Sequence, residues 1–142
     1  MDGSEQSDAQ ASGGGYDPQV IELAHRMLDL ARRGDPALVD YLDAGVPIDL
    51  TDPDGNTLLM LAAYHGHARL VRALVDRGAD PQRCNDRGQS PLAGAVFQGG
   101  AEVVEVLVAA GADPRAGTPT AIDTAQMFGR DDLLELLRGG AD

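Results

Sequence analysis

The chain has no tryptophan and no lysine, only 4% aromatic residues and a single cysteine in 142 residues. So few rings exclude a core built around large aromatic side chains. Alanine, leucine and valine must fill the interior instead, which suits thin helical layers packed through small residues. With Cys84 alone, no intrachain disulfide can form. Positive charge is scarce: the formal net charge is −12, and every basic residue is arginine. That balance argues against a nucleic-acid backbone or an anionic membrane as partner. No apolar run is long enough to span a bilayer. The first 15 residues lack both a basic start and an apolar stretch, so no secretory leader is expected and a cytoplasmic protein is.

What is present is a repeat. Asp52-Pro53-Asp54-Gly55-Asn56-Thr57 is a turn followed by a hydroxyl suited to a helix N-cap. Leu58-Leu59-Met60-Leu61-Ala62-Ala63 reads as a short apolar helix broken at Gly66-His67. A second helix carries Leu70, Val71, Leu74 and Val75 on one face and ends at Gly78-Ala79-Asp80-Pro81. About 33 residues later the pattern returns. Gly55, Gly66 and Gly78 become Gly88, Gly99 and Gly111; Thr57 becomes Ser90, and Leu74 becomes Leu107.

With these residues in register, the chain resembles the ankyrin-repeat family over roughly Leu28 to Asp142. The family's T-P-L-H-x-A motif reads here as Thr57-Leu58-Leu59-Met60-Leu61-Ala62 and Ser90-Pro91-Leu92-Ala93-Gly94-Ala95, in both cases without its histidine. The resemblance implies an all-α solenoid of four helix-turn-helix repeats with short or absent β-hairpin loops. It also implies a structural role for His67 and a concave groove that recognises protein partners.

Taken in order, residues 1–16 are polar, acidic and rich in Gly and Ser, and are expected to form a disordered tail. The repeat domain is expected over 17–142, with repeats near 17–51, 52–84, 85–117 and 118–142. Asp17-Pro18 starts a helix whose apolar face is Val20, Leu23, Ala24, Met27, Leu28 and Ala31. Asp35-Pro36 starts its partner, with Leu38, Val39 and Leu42 inward. Gly94 lies inside a helix, where glycine costs about 1 kcal/mol relative to alanine; close approach of a neighbouring helix is the expected reason. Gly99-Gly100 replaces Gly66-His67, which predicts a looser turn. The fourth repeat falls three residues short, in a loop holding Pro114 and Pro119, and Asp131 is the expected cap of the last helix.

No catalytic constellation emerges. His65 and His67 flank a turn with no Cys or further His to complete a zinc set. There is no phosphate-binding glycine motif, and Ser90, the one serine of the repeat region, reads as a cap. No catalytic residue, metal or cofactor is expected. A stripe remains. The two residues before each helix-breaking glycine are Arg32-Arg33, Tyr64-His65, Phe97-Gln98 and Met127-Phe128. In the family these positions face the groove, so stacking aligns Arg32, Tyr64, Phe97 and Met127 in one row and Arg33, His65, Gln98 and Phe128 in a second. Aromatics, Met and Arg are enriched at protein interfaces. The competing expectation is that the rings only cover neighbouring repeats. Turn residues Asp54, Asn56, Asp86, Arg87 and Gln89 form the polar border. The resulting expectation is a monomeric, non-catalytic module binding a protein in the cytosol. The alternative is an accessory or regulatory subunit of an enzyme, such as a redox or stress-response enzyme.

Overall fold

A computed structural model describes residues 17–140; the acidic tail read over 1–16 lies outside the described residues. Among the described residues eight helices follow one another: α1 Pro18–Arg33, α2 Ala37–Asp43, α3 Leu58–Tyr64, α4 Ala68–Asp76, α5 Pro91–Gln98, α6 Ala101–Ala109, α7 Ala121–Met127 and α8 Asp131–Gly140. Among the described residues there is no strand, and one isolated antiparallel bridge joins Thr51 to Thr57. The fold is an all-α solenoid of four helix pairs.

Local chemistry sets the helix ends. Asp17 caps α1 by accepting the Gln19 N–H at 2.8 Å, with proline following it. Thr57, Ser90 and Thr120 cap α3, α5 and α7, accepting the amides of Met60, Ala93 and Asp123 at 2.9–3.1 Å. Asp35 accepts the Ala37 N–H at the start of α2. Asp131 does not cap α8: it is the helix's first residue, and Asp132 instead pairs with Arg130 at 2.9 Å. After α2, α4 and α6 the chain reverses at Gly45, Gly78 and Gly111, with φ of +105°, +95° and +91°. A Cβ there would carry the left-handed strain that only glycine escapes.

The packing is two ladders. Inner helices stack in the order α1, α3, α5, α7, and outer helices in the order α4, α6, α8, while α2 leans mainly on α1. The core is continuous along the stack and made of Leu, Val, Ala and Met, including Leu38, Leu59, Leu74, Leu92, Leu107 and Leu133. Val20 departs from the face expected of it. It is 53% exposed, and neighbouring Ile21 is 44% exposed. The cause is register. One period before Leu58 falls at residue 25, so the first two turns of α1 extend beyond the other inner helices and have no helix to pack on. With the loop at 44–53 they form an open apolar groove of about 900 Å³.

Gly94 is explained by α3. A Cβ on it would lie 3.0 Å from Met60 Cε and 3.7 Å from the Tyr64 ring. In the second, third and fourth repeats the position after the helix-breaking glycine reads His67, Gly100 and Arg130; in the first it is Asp35. His67 Nε2 is 2.7 Å from the Arg32 carbonyl, and Arg130 Nη1 donates to the Gly99 carbonyl at 3.4 Å. Gly100 has no side chain to make the middle bond, and the Gln98 amide lies over Gly66 instead. Gly100→His is therefore expected to stabilise. Its φ of −90° suits any residue, and the nearest obstacle is the flexible end of Gln98 at 3.0 Å. Loss of unfolded-state freedom contributes about 0.4–1 kcal/mol, and a restored bond about 0.5–1.5 kcal/mol. Urea melts should show a higher midpoint; an unchanged or lower midpoint would contradict the equivalence of the three positions.

Candidate functional site: an aromatic strip between inner helices and turns

The four residue pairs sit where the inner helices end. Arg32 and Arg33 close α1, Tyr64 closes α3 with His65 as its C-cap, Phe97 and Gln98 close α5, and Met127 closes α7 with Phe128 as its C-cap. The middle of this strip is large, apolar and open to solvent: Tyr64 is 38% exposed, Phe97 55%, Met127 66% and Phe128 50%. Water contact on this scale for two Phe and a Met is an unpaid hydrophobic cost in the isolated chain.

The rings are ordered against one another. Tyr64 and Phe97 stack with centroids 5.8 Å apart and planes 10° from parallel. Phe97 meets Phe128 edge-on at 5.6 Å and 63°. Both separations lie in the favourable range for aromatic pairs. The two rows read from the sequence thus merge, because Phe97 touches Phe128 of the second row while Met127 turns into a shallow cavity beside them. That cavity, about 100 Å³, is bounded by Tyr64, Phe97, Met127 and Phe128 on the helix side and by Gln89 and Pro119 on the loop side. Its floor is Ala93 and Gly94, whose small size leaves the space empty.

The arginine end is already engaged. Arg33 pairs with Asp29 at 2.9 Å, and Arg32 lies 3.8 Å from Asp52. His65 packs edge-on to Tyr64 at 5.3 Å. Burial, then the charges of His67 and Arg32, hold its imidazole below the usual histidine value, so it is neutral near pH 7 and adds no charge to the strip. Gln98 is exposed but lies against Gly66.

The border residues divide into two kinds. Asp54, Asp86 and Arg87 are exposed. Asn56 and Gln89 are half-buried and hold the turns together. Asn85 accepts the Arg87 and Gln89 amides at 3.0 Å through its carbonyl oxygen. Its NH₂ group donates to Asn56 at 2.8 Å and to Gln89 at 2.9 Å. Asp52 does the same work one repeat earlier, accepting the Asp54 and Asn56 amides at 2.9 Å and the Asn56 side chain at 3.1 Å. The Asp86 N–H donates to the Asp54 carbonyl at 3.0 Å, joining adjacent turns. Asp52 and Asn85, which the sequence reading did not select, organise this side of the groove; their separation by one repeat was the available signal.

Asp52 also makes the turn sensitive to acid. Burial raises its pKa, but hydrogen bonds from the Asn56 side chain and amide and the Asp54 amide, with the Arg32 charge, outweigh it and leave the carboxyl below its ordinary value. The unfolded chain therefore takes up the proton first, near pH 3.9. The stabilisation is complete above that pH and is lost as pH falls through the lower folded value. Asp52→Asn, the residue found at position 85, is expected to fold normally at pH 7 and to weaken the acid dependence. Asp52→Ala should cost about 1.5–3 kcal/mol at pH 7. Urea melts at pH 7 and pH 3 compare them; an alanine variant as stable as the parent would contradict the assignment.

Among the described residues, no three His, Cys, Asp or Glu side chains come together as a metal set. No helix there is long and apolar enough to cross a membrane. Cys84 is half-buried, with its thiol 3.7 Å from the Gln82 carbonyl.

Comparison with known proteins agrees with the helical repeat fold. The family profile described as ankyrin repeats in three copies matches residues 27–118. A Pseudomonas aeruginosa protein named for its ankyrin repeats is 46% identical over 57 residues, 39% of this chain and 33% of that protein. Human ankyrin repeat domain-containing protein 29 is 48% identical over 60 residues, 41% of this chain and 20% of that protein. The chain thus matches a third or less of the length of either relative.

Proposed function

The chain belongs to the ankyrin-repeat family, and from that premise we propose that it is a non-catalytic recognition module that binds a protein partner in the cytosol along the strip from Arg32 to Phe128. Ankyrin repeats are in general protein–protein interaction modules. The observation that carries the reading is the run of exposed rings, Tyr64, Phe97 and Phe128, in contact across three repeats. A partner that covers them removes apolar surface from water, and the ordered rings lose little freedom when covered. Interfaces concentrate binding energy in such central aromatic anchors.

Site-directed photocrosslinking tests the reading. A benzophenone side chain placed at Gln98 is expected to capture a discrete protein from source lysate. The same group at Glu105, exposed on outer helix α6, is expected to capture none of it. Equal capture of that protein at both positions, or capture only at Glu105, would reject the groove.

A further inference from the structure

We propose that the partner segment seated on this strip is cationic: an extended stretch of protein that lays an arginine or lysine side chain against the solvent-exposed side of the Tyr64–Phe97–Phe128 ring cluster. This rests on the groove reading above and adds the chemistry of the occupant. The first observation is that the groove's own guanidiniums at the α1 end are paired. Arg33 meets Asp29 and Arg32 faces Asp52, so an acidic partner would have to compete with carboxylates already in place. The neutral His65 offers no cation either. The second is the residual charge of the border. Asp54 and Asp86 are exposed on adjacent turns, beside one exposed arginine, Arg87, among the five border residues. The third is the net charge of −12, which draws in cationic segments and repels anionic ones before contact.

The strip suits that occupant in shape as well as charge. Aromatic faces carry negative quadrupolar potential and attract ammonium or guanidinium groups. The aliphatic stem of Arg or Lys covers apolar surface while its head stays wet. Here the stem has exposed Phe97 and the cavity floored by Ala93 and Gly94, and the turn that supplies Gln89 to that cavity also carries exposed Asp86. Packed helices lie about 8–10 Å apart, so the distance from α3 to α7 is about 16–20 Å. An extended segment covers that in about five or six residues.

Three fluorescent dodecapeptides test the proposal on the full chain. They share a Leu/Gln framework and differ at two central positions, which are Arg, Glu or Gln. The Arg peptide is expected to bind at least tenfold more tightly than the Glu peptide in anisotropy titrations, and to weaken as NaCl rises from 50 to 500 mM. Phe97→Leu keeps an apolar side chain but removes the ring; it should weaken the Arg peptide about three- to fivefold and leave the Gln peptide nearly unchanged. Glu105→Ala should alter none of these. Equal or tighter binding of the Glu or Gln peptide, with Tyr64→Ala/Phe97→Ala abolishing it, would overturn the cationic assignment while leaving the groove intact. Arg-peptide binding indifferent to that double variant would reject the groove itself. No binding of the Arg peptide up to 1 mM would overturn the proposal, and crosslinking at Gln98 would then judge the groove independently.

Discussion

Leu74→Ala is expected to lower the unfolding free energy by about 2–5 kcal/mol. Leu74 is fully buried in α4, the outer helix of the second repeat. That helix packs on α3 within its own repeat and on α6 of the next. In a stacked array, stability is the sum of each repeat's own terms and those of its interfaces with neighbours. Removing Leu74 opens a cavity where both kinds of term meet. Leu136→Ala, in the half-buried position on α8, is the comparison and should cost distinctly less. Urea unfolding followed by circular dichroism measures both. A loss at Leu74 below about 1 kcal/mol, or equal to that at Leu136, would show that the repeats are not coupled through this layer.

The repeat was legible because it rests on local rules. Thr57, Ser90 and Thr120 announce helix starts by their hydroxyls, and the structure uses each one as a cap. Gly45, Gly78 and Gly111 announce reversals, and each has the positive φ that makes glycine necessary. Gly94 was legible as a close approach, though not as an approach of Met60 in particular. The errors arise where a residue's role depends on a neighbour that is missing. Val20 belongs to the apolar face of α1 by periodicity, but burial needs a helix opposite, and none reaches its first two turns. Asp131 has the chemistry of a cap, but the chain turns into α8 one residue earlier.

The site was legible as positions and not as pairings. Counting back from each helix-breaking glycine locates Tyr64, Phe97, Met127 and Phe128, because repeats carry a position faithfully from one unit to the next. It does not tell that Phe97 would reach Phe128, since ring contacts depend on χ angles and on how one helix sits over another. Nor does it tell that Arg32 and Arg33 would be engaged by Asp52 and Asp29. That pairing offsets the positive charge that the sequence pattern places at the α1 end of the strip.

The largest functional effect is expected from Tyr64→Ala/Phe97→Ala. The two rings stack on one another and stand at the centre of the strip, with Arg32 on one side and Phe128 on the other. Truncating a central aromatic anchor costs about 2 kcal/mol or more of binding, which is about 30-fold in Kd. Their contribution to folding is smaller, because Phe97 is more than half exposed and Tyr64 partly so, and the pair itself contributes about 0.5–1.5 kcal/mol beyond burial. Binding and stability are therefore separable here. The most direct measurement is a titration of the protein captured through Gln98 against the parent chain, the double variant and Glu105→Ala, with the melting temperature of each recorded alongside. A folded double variant whose Kd rises about 30-fold or more, beside an unaffected Glu105→Ala, is the expected result. A folded double variant that binds as tightly as the parent would contradict recognition through the strip. Collapse of its fold would assign the rings to the packing between repeats instead.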